Sequence, residues 1–385
     1  MTSKPHLVKY IFIKILERYN WMRDAQKTTH ISIIHQINEL IRLKLGKTRM
    51  EARDYFEQRL FDKTFYANSE LLEFGGYSFK EWIHAQLNNI RWEGMVTDKL
   101  VLYALFKQYA LPYPKVHAVA FNYKRNYGDI PVFHESGLLA DFIRNSMPYP
   151  FFCKPIKGCL GQGSFLVKQY NCSDDQLVLN SGEKISVMDF IFSLNDGDGF
   201  GFLFQEVATV NHEIKSICGN VITGCRIIML LDDKNAYPFR ISWKIPTEKN
   251  HIDNFKYGKF GNLAADVDVE TGRVKRVVSY NGSKLVTITH HPITNINLIG
   301  YQLPDWNNFI ATAKKAAECF PGFRWQHWDL GITEFGPIIY ELNSAGNTDL
   351  AQMSSGKGIY DDQLKSFIKK YSNKKRPTGN LFTKK

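Results

Sequence analysis

The sequence predicts an α+β fold: a helical N-terminal region, two α+β subdomains, and a basic tail. Three observations predict it. Apolar residues recur at helical spacing through the first part of the chain. From about residue 98 the texture changes, and Leu111-Pro112-Tyr113-Pro114 breaks regular structure with two prolines. Beyond those prolines, short apolar and aromatic runs bounded by turn residues dominate. The boundaries read as 1–95, 96–200, 201–365 and 366–385.

Taken in order, Leu7, Tyr10, Ile11 and Ile15 predict one helix, and Ile34, Ile37, Ile41 and Leu45 another. Thr48 with Glu51 has the form of a capping box, opening a helix that runs toward Leu72 and stops at Gly75-Gly76. A further helix starts at Phe79 and reaches Leu87. Asp98-Lys99 begins an apolar helix over Leu100–Tyr109. Phe151–Pro155 reads as a strand followed by a glycine-rich turn, and 202–207, 225–231, 239–245 and 263–269 read as further strands. Asp305–Phe320 is helical and ends at Pro321-Gly322. A strand hairpin and a C-terminal helix near residues 360–371 follow. No internal repeat or low-complexity block is present.

Composition excludes several classes. The chain has 385 residues, 44% hydrophobic and 23% charged, which is ordinary for a soluble globular protein. No stretch reaches the ~18–20 uninterrupted apolar residues of a membrane span. Met1–Tyr19 mixes charges among its apolar positions, so no secretion signal is expected. The six cysteines include no CxxC pair, which disfavours zinc and dithiol chemistry and suits reduced thiols in the cytoplasm. A net charge of +11 attracts phosphates, acidic sugars, nucleic acid or anionic lipid without choosing among them. Lys365–Lys385 holds eight basic residues and no acidic one, as a solvated tail does.

The sharpest chemical signal is WDLGITEFGPIIYELN, residues 328–343. Two apolar strands flank the turn Glu334-Phe335-Gly336-Pro337. Side chains alternate along a strand, so Glu341 and Asn343 share a face, and folding at the turn brings Asp329 toward it. Two carboxylates and an amide oxygen then suit a hard cation such as Mg2+. The competing reading is a hairpin with solvated charges. Against it stands the apolar surround, in which a half-buried carboxylate needs a partner.

A second signal is the run Lys154-Pro155-Ile156-Lys157-Gly158-Cys159-Leu160-Gly161-Gln162-Gly163-Ser164. Glycines let backbone amides approach an anion, and a lysine ending the preceding strand can reach the same phosphates. Ser164 and Phe165 stand where a Walker loop needs Lys and Ser or Thr, so that motif is excluded. A plain structural turn is the alternative. The third signal is Phe204-Gln205-Glu206-Val207 with Glu213 beyond it: an extended segment able to meet adenine, and a carboxylate able to accept from ribose hydroxyls.

The order of these features resembles the ATP-grasp superfamily, and most closely its sugar-transfer-associated group, relatives of the alpha-L-glutamate ligases. The resemblance covers about residues 60–365. It rests on DKLVLYALFKQYALPYP, CKPIKGCLGQGS, FQEVATVNHE, GCRIIML, NLAADVDVETG and WDLGITEFGPIIYELNSAGNTDLAQ. It implies two α+β subdomains clasping ATP. Lys99 and Lys154 match the lysines that hold the phosphates. Gly161, Gly163 and Ser164 match the loop that closes over them. Gln205, Glu206 and Val207 match the adenine hinge, and Glu213 the ribose carboxylate. Asp329, Glu341 and Asn343 match the magnesium ligands, and Arg226 an arginine supporting the transferring phosphoryl group. Arg240 and Lys244 are further basic candidates. The helical front departs from the many relatives that carry an α/β domain there.

The activity so implied is ATP-dependent carboxylate–amine ligation through an acyl phosphate. Its substrates would be small or saccharide-linked, as in polysaccharide biosynthesis, with no nucleic-acid partner. Two alternatives stay open: phosphoryl transfer to a hydroxyl on the same fold, and a non-catalytic nucleotide- or polyanion-binding scaffold. Asp329-Leu330-Gly331 faintly echoes a kinase magnesium motif, but no HRD loop precedes it.

Overall fold

The computed structural model of the chain describes residues 4–67, 69–124, 126–157, 163–194, 199–221, 223–247, 255–258, 261–282 and 284–372. It opens with helices α1 (Lys4–Thr29), α2 (Ile33–Leu45), α3 (Ala52–Glu57), α4 (Tyr77–Leu87), α5 (Gly94–Thr97) and α6 (Lys99–Gln108). Asp98 caps α6, its Oδ1 accepting from the amides of Leu100 and Val101. The capping box lies one turn beyond the Thr48–Glu51 pair expected: Glu51 is the N-cap of α3 and Asp54 its N3 partner, while Thr48 is buried. The helix also stops at Glu57 instead of running toward Leu72. Arg59 takes a left-handed φ of 56°, and the Tyr66 hydroxyl donates back to the Gln58 carbonyl at 2.7 Å.

The first sheet takes β1 (Val116–Ala120), β2 (Val132–Phe133), β3 (Phe151–Pro155), β4 (Phe165–Asn171), β5 (Gln176–Leu179), β6 (Lys184–Ser186) and β7 (Phe202–Glu206), in the order β2-β1-β7-β3-β4-β5-β6. Helices α7 (Ser136–Asn145) and α8 (Val187–Ser193) supply its core with Leu139, Ile143, Val187 and Phe190 against Phe151 and Phe204. β7 pairs antiparallel with both β1 and β3, so this sheet extends past residue 200.

After α9 (His212–Cys218), the second sheet takes β8 (Gly224–Leu231), β9 (Ala236–Ile245), β10 (Leu263–Val267), β11 (Val274–Tyr280), β12 (Leu285–Ile288), β13 (Trp325–Thr333) and β14 (Gly336–Asn343). Its order is β12-β11-β10-β9-β8-β13-β14. Helix α10 (Trp306–Glu318) precedes β13, and α11 (Asp349–Ser355) and α12 (Asp362–Tyr371) follow β14.

Alternation divides this sheet into two faces. Ile227, Ile241, Trp243, Trp328 and Leu330 bury themselves with Phe309, Ala313 and Ala316 of α10. On the opposite face, Ile228, Leu230, Phe239 and Trp325 lie under α4 and α12. Farther along the same strands that face turns polar, with Arg226, Asp329 and Glu341 side by side. Helices α4 and α12 therefore cover the apolar end of the face, and the charged row lies beyond it.

The front of the chain is tied to this sheet by Gln352 of α11. Its fully buried amide accepts from the Gly75 and Ile359 amides at 2.7 and 3.2 Å, and donates to the Gly75 carbonyl and Gln58 Oε1 at 2.8 and 2.9 Å. Among the described residues no helix is long and apolar enough to cross a membrane.

Candidate active site

The charged row begins with strand register. β8, β13 and β14 are adjacent, and Arg226, Asp329 and Glu341 pair directly across them. Asp329 is buried, and its two oxygens accept from Arg226 Nε at 2.9 Å and Nη2 at 2.6 Å, a bidentate fork. Lys244 Nζ stands 3.8 Å from the same carboxylate. Burial opposes ionisation of Asp329, but Arg226 and Lys244 outweigh it and hold the carboxyl well below the usual carboxylate range. Burial likewise opposes the charge of Arg226, and Asp329 with Glu341 more than restores it.

Glu341 is half-buried and makes no hydrogen bond or ion pair among the described residues. An unpartnered half-buried carboxylate beside an ionised aspartate suits a hard cation. Asn343, two residues along β14, adds an amide oxygen donor on the same face. The donor chemistry thus fits magnesium. Asp329 meets Arg226 first, however, so the three donors do not stand as a set open to a cation. Among the described residues no group of three or more His, Cys, Asp or Glu is arranged to hold a metal.

His327 lies two residues before Asp329 on the same face, opposite Asn343. It is wholly buried, and neither ring nitrogen has a hydrogen-bond partner among the described residues. Burial and the neighbouring Arg226 push its pKa down to about 3, so it stays neutral. A Cβ on Gly346 would stand 2.4 Å from its ring, so this glycine lets the loop after β14 lie against it.

Across from the charged row, Lys154 projects from β3. Its Nζ donates to the Tyr103 hydroxyl at 2.9 Å. That hydroxyl lies 3.3 Å from both Gln205 Oε1 on β7 and the Tyr340 carbonyl on β14. Tyr103 therefore joins the two sheets at the site. Burial lowers the Lys154 pKa to about 8, with Glu341 opposing the shift. Lys99 is buried, and its Nζ donates to the Ile156 carbonyl at 3.3 Å, at the mouth of the glycine-rich run.

Gly158–Gln162, and so Gly161, fall outside the described residues. Gly163 has a left-handed φ of 69°, and half-buried Ser164 leads into β4. Gln205 is buried, and Glu206 Oε1 accepts from the Lys115 amide at 2.9 Å. Both residues pair with flanking strands, and Val207 is the first beyond that pairing. Glu213 lies exposed on α9. Arg240 sits away from the charged row: it donates to Asp361, the cap of α12, and to the Phe239 carbonyl at 2.8 Å.

Two members of the site carried little sequence signal. Tyr103 is four residues after Lys99, hence on the same helical face. His327 shares the face of Asp329 by strand parity. Next to the row, a cavity of about 480 Å3 lies between the helical region and the loop after Asn343. Glu51, Asp54, Glu57, Lys80, Tyr257 and Asp349 are among the residues lining it. Asn347, also in the lining, follows directly on the Gly346 that lies against the His327 ring.

A family model described as sugar-transfer associated ATP-grasp matches residues 79–368. No curated protein matches the chain. Solved structures similar to it include carboxyaminoimidazole ribonucleotide synthase from Aspergillus clavatus, complexed with ATP. That match has 12% identity and a TM-score of 0.38, over 67% of this chain and 47% of that one. Biotin carboxylase from Campylobacter jejuni matches at 12% identity and TM-score 0.41, over 74% and 47%. D-alanyl-alanine synthetase A from Vibrio cholerae matches at 10% identity and TM-score 0.43, over 74% and 68%. The chain spans about half the length of the first two.

Proposed function

The chain belongs to the sugar-transfer associated ATP-grasp family, and on that premise we propose that it is an ATP-dependent carboxylate–amine ligase working through an acyl phosphate. The observation that carries the reading is the in-register row Arg226–Asp329–Glu341 facing Lys154 across Tyr103. Fixed cations and carboxylates on facing elements would suit phosphoryl transfer, which supports the reading.

A substrate carboxylate oxygen attacks the γ-phosphorus of ATP; the bond to the β,γ-bridging oxygen breaks and ADP leaves. An amine nitrogen then attacks the acyl carbon, forming the C–N bond as phosphate departs with the C–O electrons and the amine loses a proton. Lys154 and Lys99 bind the phosphates. Tyr103, accepting from Lys154, holds that ammonium in place. The backbone from Val207 onward meets adenine, with Gln205 and Glu206 setting the edge of the hinge and Glu213 facing the ribose. Gly163 and Ser164 cover the phosphates and exclude water. Arg226 serves the transferring phosphoryl group from its seat on Asp329. Glu341 and Asn343 would hold magnesium, with Asp329 kept behind them by Arg226, and the ion would supply charge neutralisation on the triphosphate.

The cavity beside the row would take the acceptor, and the family's association with sugar transfer supports a saccharide or saccharide precursor. A supply of ATP suits a cytoplasmic setting for the reaction. The test is ADP release from purified protein across a matrix of carboxylates and amines, with product mass read for each active pair. ADP release that requires both partners, yields an amide and disappears in Glu341→Ala is expected. Turnover that ignores the amine and yields a phosphate ester would overturn the ligase reading.

A further inference from the structure

Helix α2 is inside out. Its inward positions are Gln36, Glu39 and Leu43, at 0, 4 and 0% exposure. Ile34, Ile37, Ile41 and Leu45 are 74, 41, 52 and 83% exposed. The polar inward face is partnered except at Gln36 Oε1, which is buried with no hydrogen bond among the described residues. Glu39 accepts from the Tyr55 hydroxyl at 2.7 Å and pairs with Lys63 at 2.6 Å, and the Gln36 amide donates to the Met22 and Ile31 carbonyls. The fold therefore does not turn the aliphatic stripe toward its own core.

At about 100° per residue, the four aliphatic residues fall within roughly 80° of arc. Arg42 flanks that stripe on one side and Lys44 on the other, the latter also reaching Glu51 at 2.5 Å. The sole acidic residue of α2 is the inward Glu39. Exposed Lys47 and Arg49 continue the positive charge past the helix. On the adjoining α1, Ile13, Ile15, Leu16 and Tyr19 are exposed as well.

We propose that the outer face of α2 docks on an anionic lipid surface, with Ile34, Ile37, Ile41 and Leu45 entering the headgroup boundary and Arg42 and Lys44 meeting lipid phosphates. A narrow apolar stripe between basic flanks is the pattern of a helix lying in an interface plane. A second copy of the chain would bring the same positive flanks and the same +11 charge against itself. An anionic membrane offers apolar depth and opposite charge together.

The test is co-sedimentation of the full chain with vesicles of equal parts phosphatidylglycerol and phosphatidylcholine, beside vesicles of phosphatidylcholine alone. Binding to the anionic vesicles is expected, weakened by salt and by Arg42→Glu. Ile37→Ser with Ile41→Ser should weaken it at least about tenfold while the thermal midpoint stays put. Equal binding to both vesicle types overturns the proposal, as does anionic binding that the serine pair leaves untouched, which would assign it elsewhere, such as the basic C-terminus. Absence of vesicle binding also overturns it; a concentration-dependent dimer lost in the serine pair would then name a second copy as the occupant.

Discussion

The two sheets meet the site with charges in opposite conditions. On the second sheet Asp329 is already answered by Arg226 and Lys244. On the first, Lys154 is half-buried with a neutral hydroxyl as its hydrogen-bond partner. The first arrangement lowers the folded-state energy of each ion; the second raises it, as the depressed Lys154 pKa records. The difference separates charges that hold the architecture from one that the proposed function would offer to phosphate, and it can be broken experimentally.

The largest effect belongs to Asp329→Ala. Removing one partner of a buried pair strands the other, so a loss of about 3–5 kcal/mol in denaturant unfolding is expected. Lys154→Met should show no such loss at pH 7. Equal destabilisation by the two substitutions would erase the contrast between the sheets.

Next comes the pH response of His327. Its folded pKa of about 3 lies below the ordinary 6.5. The unfolded chain therefore takes up a proton that the folded one refuses as pH falls from 6.5 toward 3. Stability should decline across that window by about 1.4 kcal/mol per pH unit from this group. His327→Leu should remove that one-proton slope in unfolding measured from pH 7 to 4.

ATP affinity sharpens the comparison from the other side. Lys154→Met should weaken ATP binding about 10- to 100-fold by calorimetry, the worth of a charge-assisted hydrogen bond. Lys154 loses its charge as pH rises through about 8. Wild-type affinity should therefore fall over pH 7–9 more steeply than that of the variant. The stability sign is the reverse: the unfolded chain keeps the proton between about 8 and 10.5, so wild-type stability rises across that window. The smallest effect is Tyr103→Phe, about 0.5–1.5 kcal/mol in unfolding, with a modest loss of ATP affinity.

These effects also show which parts were legible beforehand. Asp329 and Glu341 were readable because a short turn between apolar strands fixes parity, and parity fixes the face. The α6 start was readable because Asp98 has one favourable use, as a cap. The first partner of Asp329 was not readable: Arg226 lies in a distant strand, and only sheet order makes them neighbours. Tyr103 and His327 were hidden for the same reason, each a single polar group in an apolar run whose meaning depends on what folds over it. Helix α2 shows the limit of periodicity. Its spacing marks an apolar stripe but not the side that finds partners, and Tyr55 and Lys63 decided that.

The Gln352 knot bears on how the protein can be cut. The family match begins at residue 79, which invites trimming the front to leave the matched part alone. Such a deletion would remove Gly75 and Gln58 and leave a sealed amide with three of its four hydrogen bonds gone, in the helix that follows Glu341 and Asn343. The shortened polypeptide should lose order first in the strand end that bears those two residues, so inactivity in a trimmed version would not by itself locate the acceptor site in the missing part.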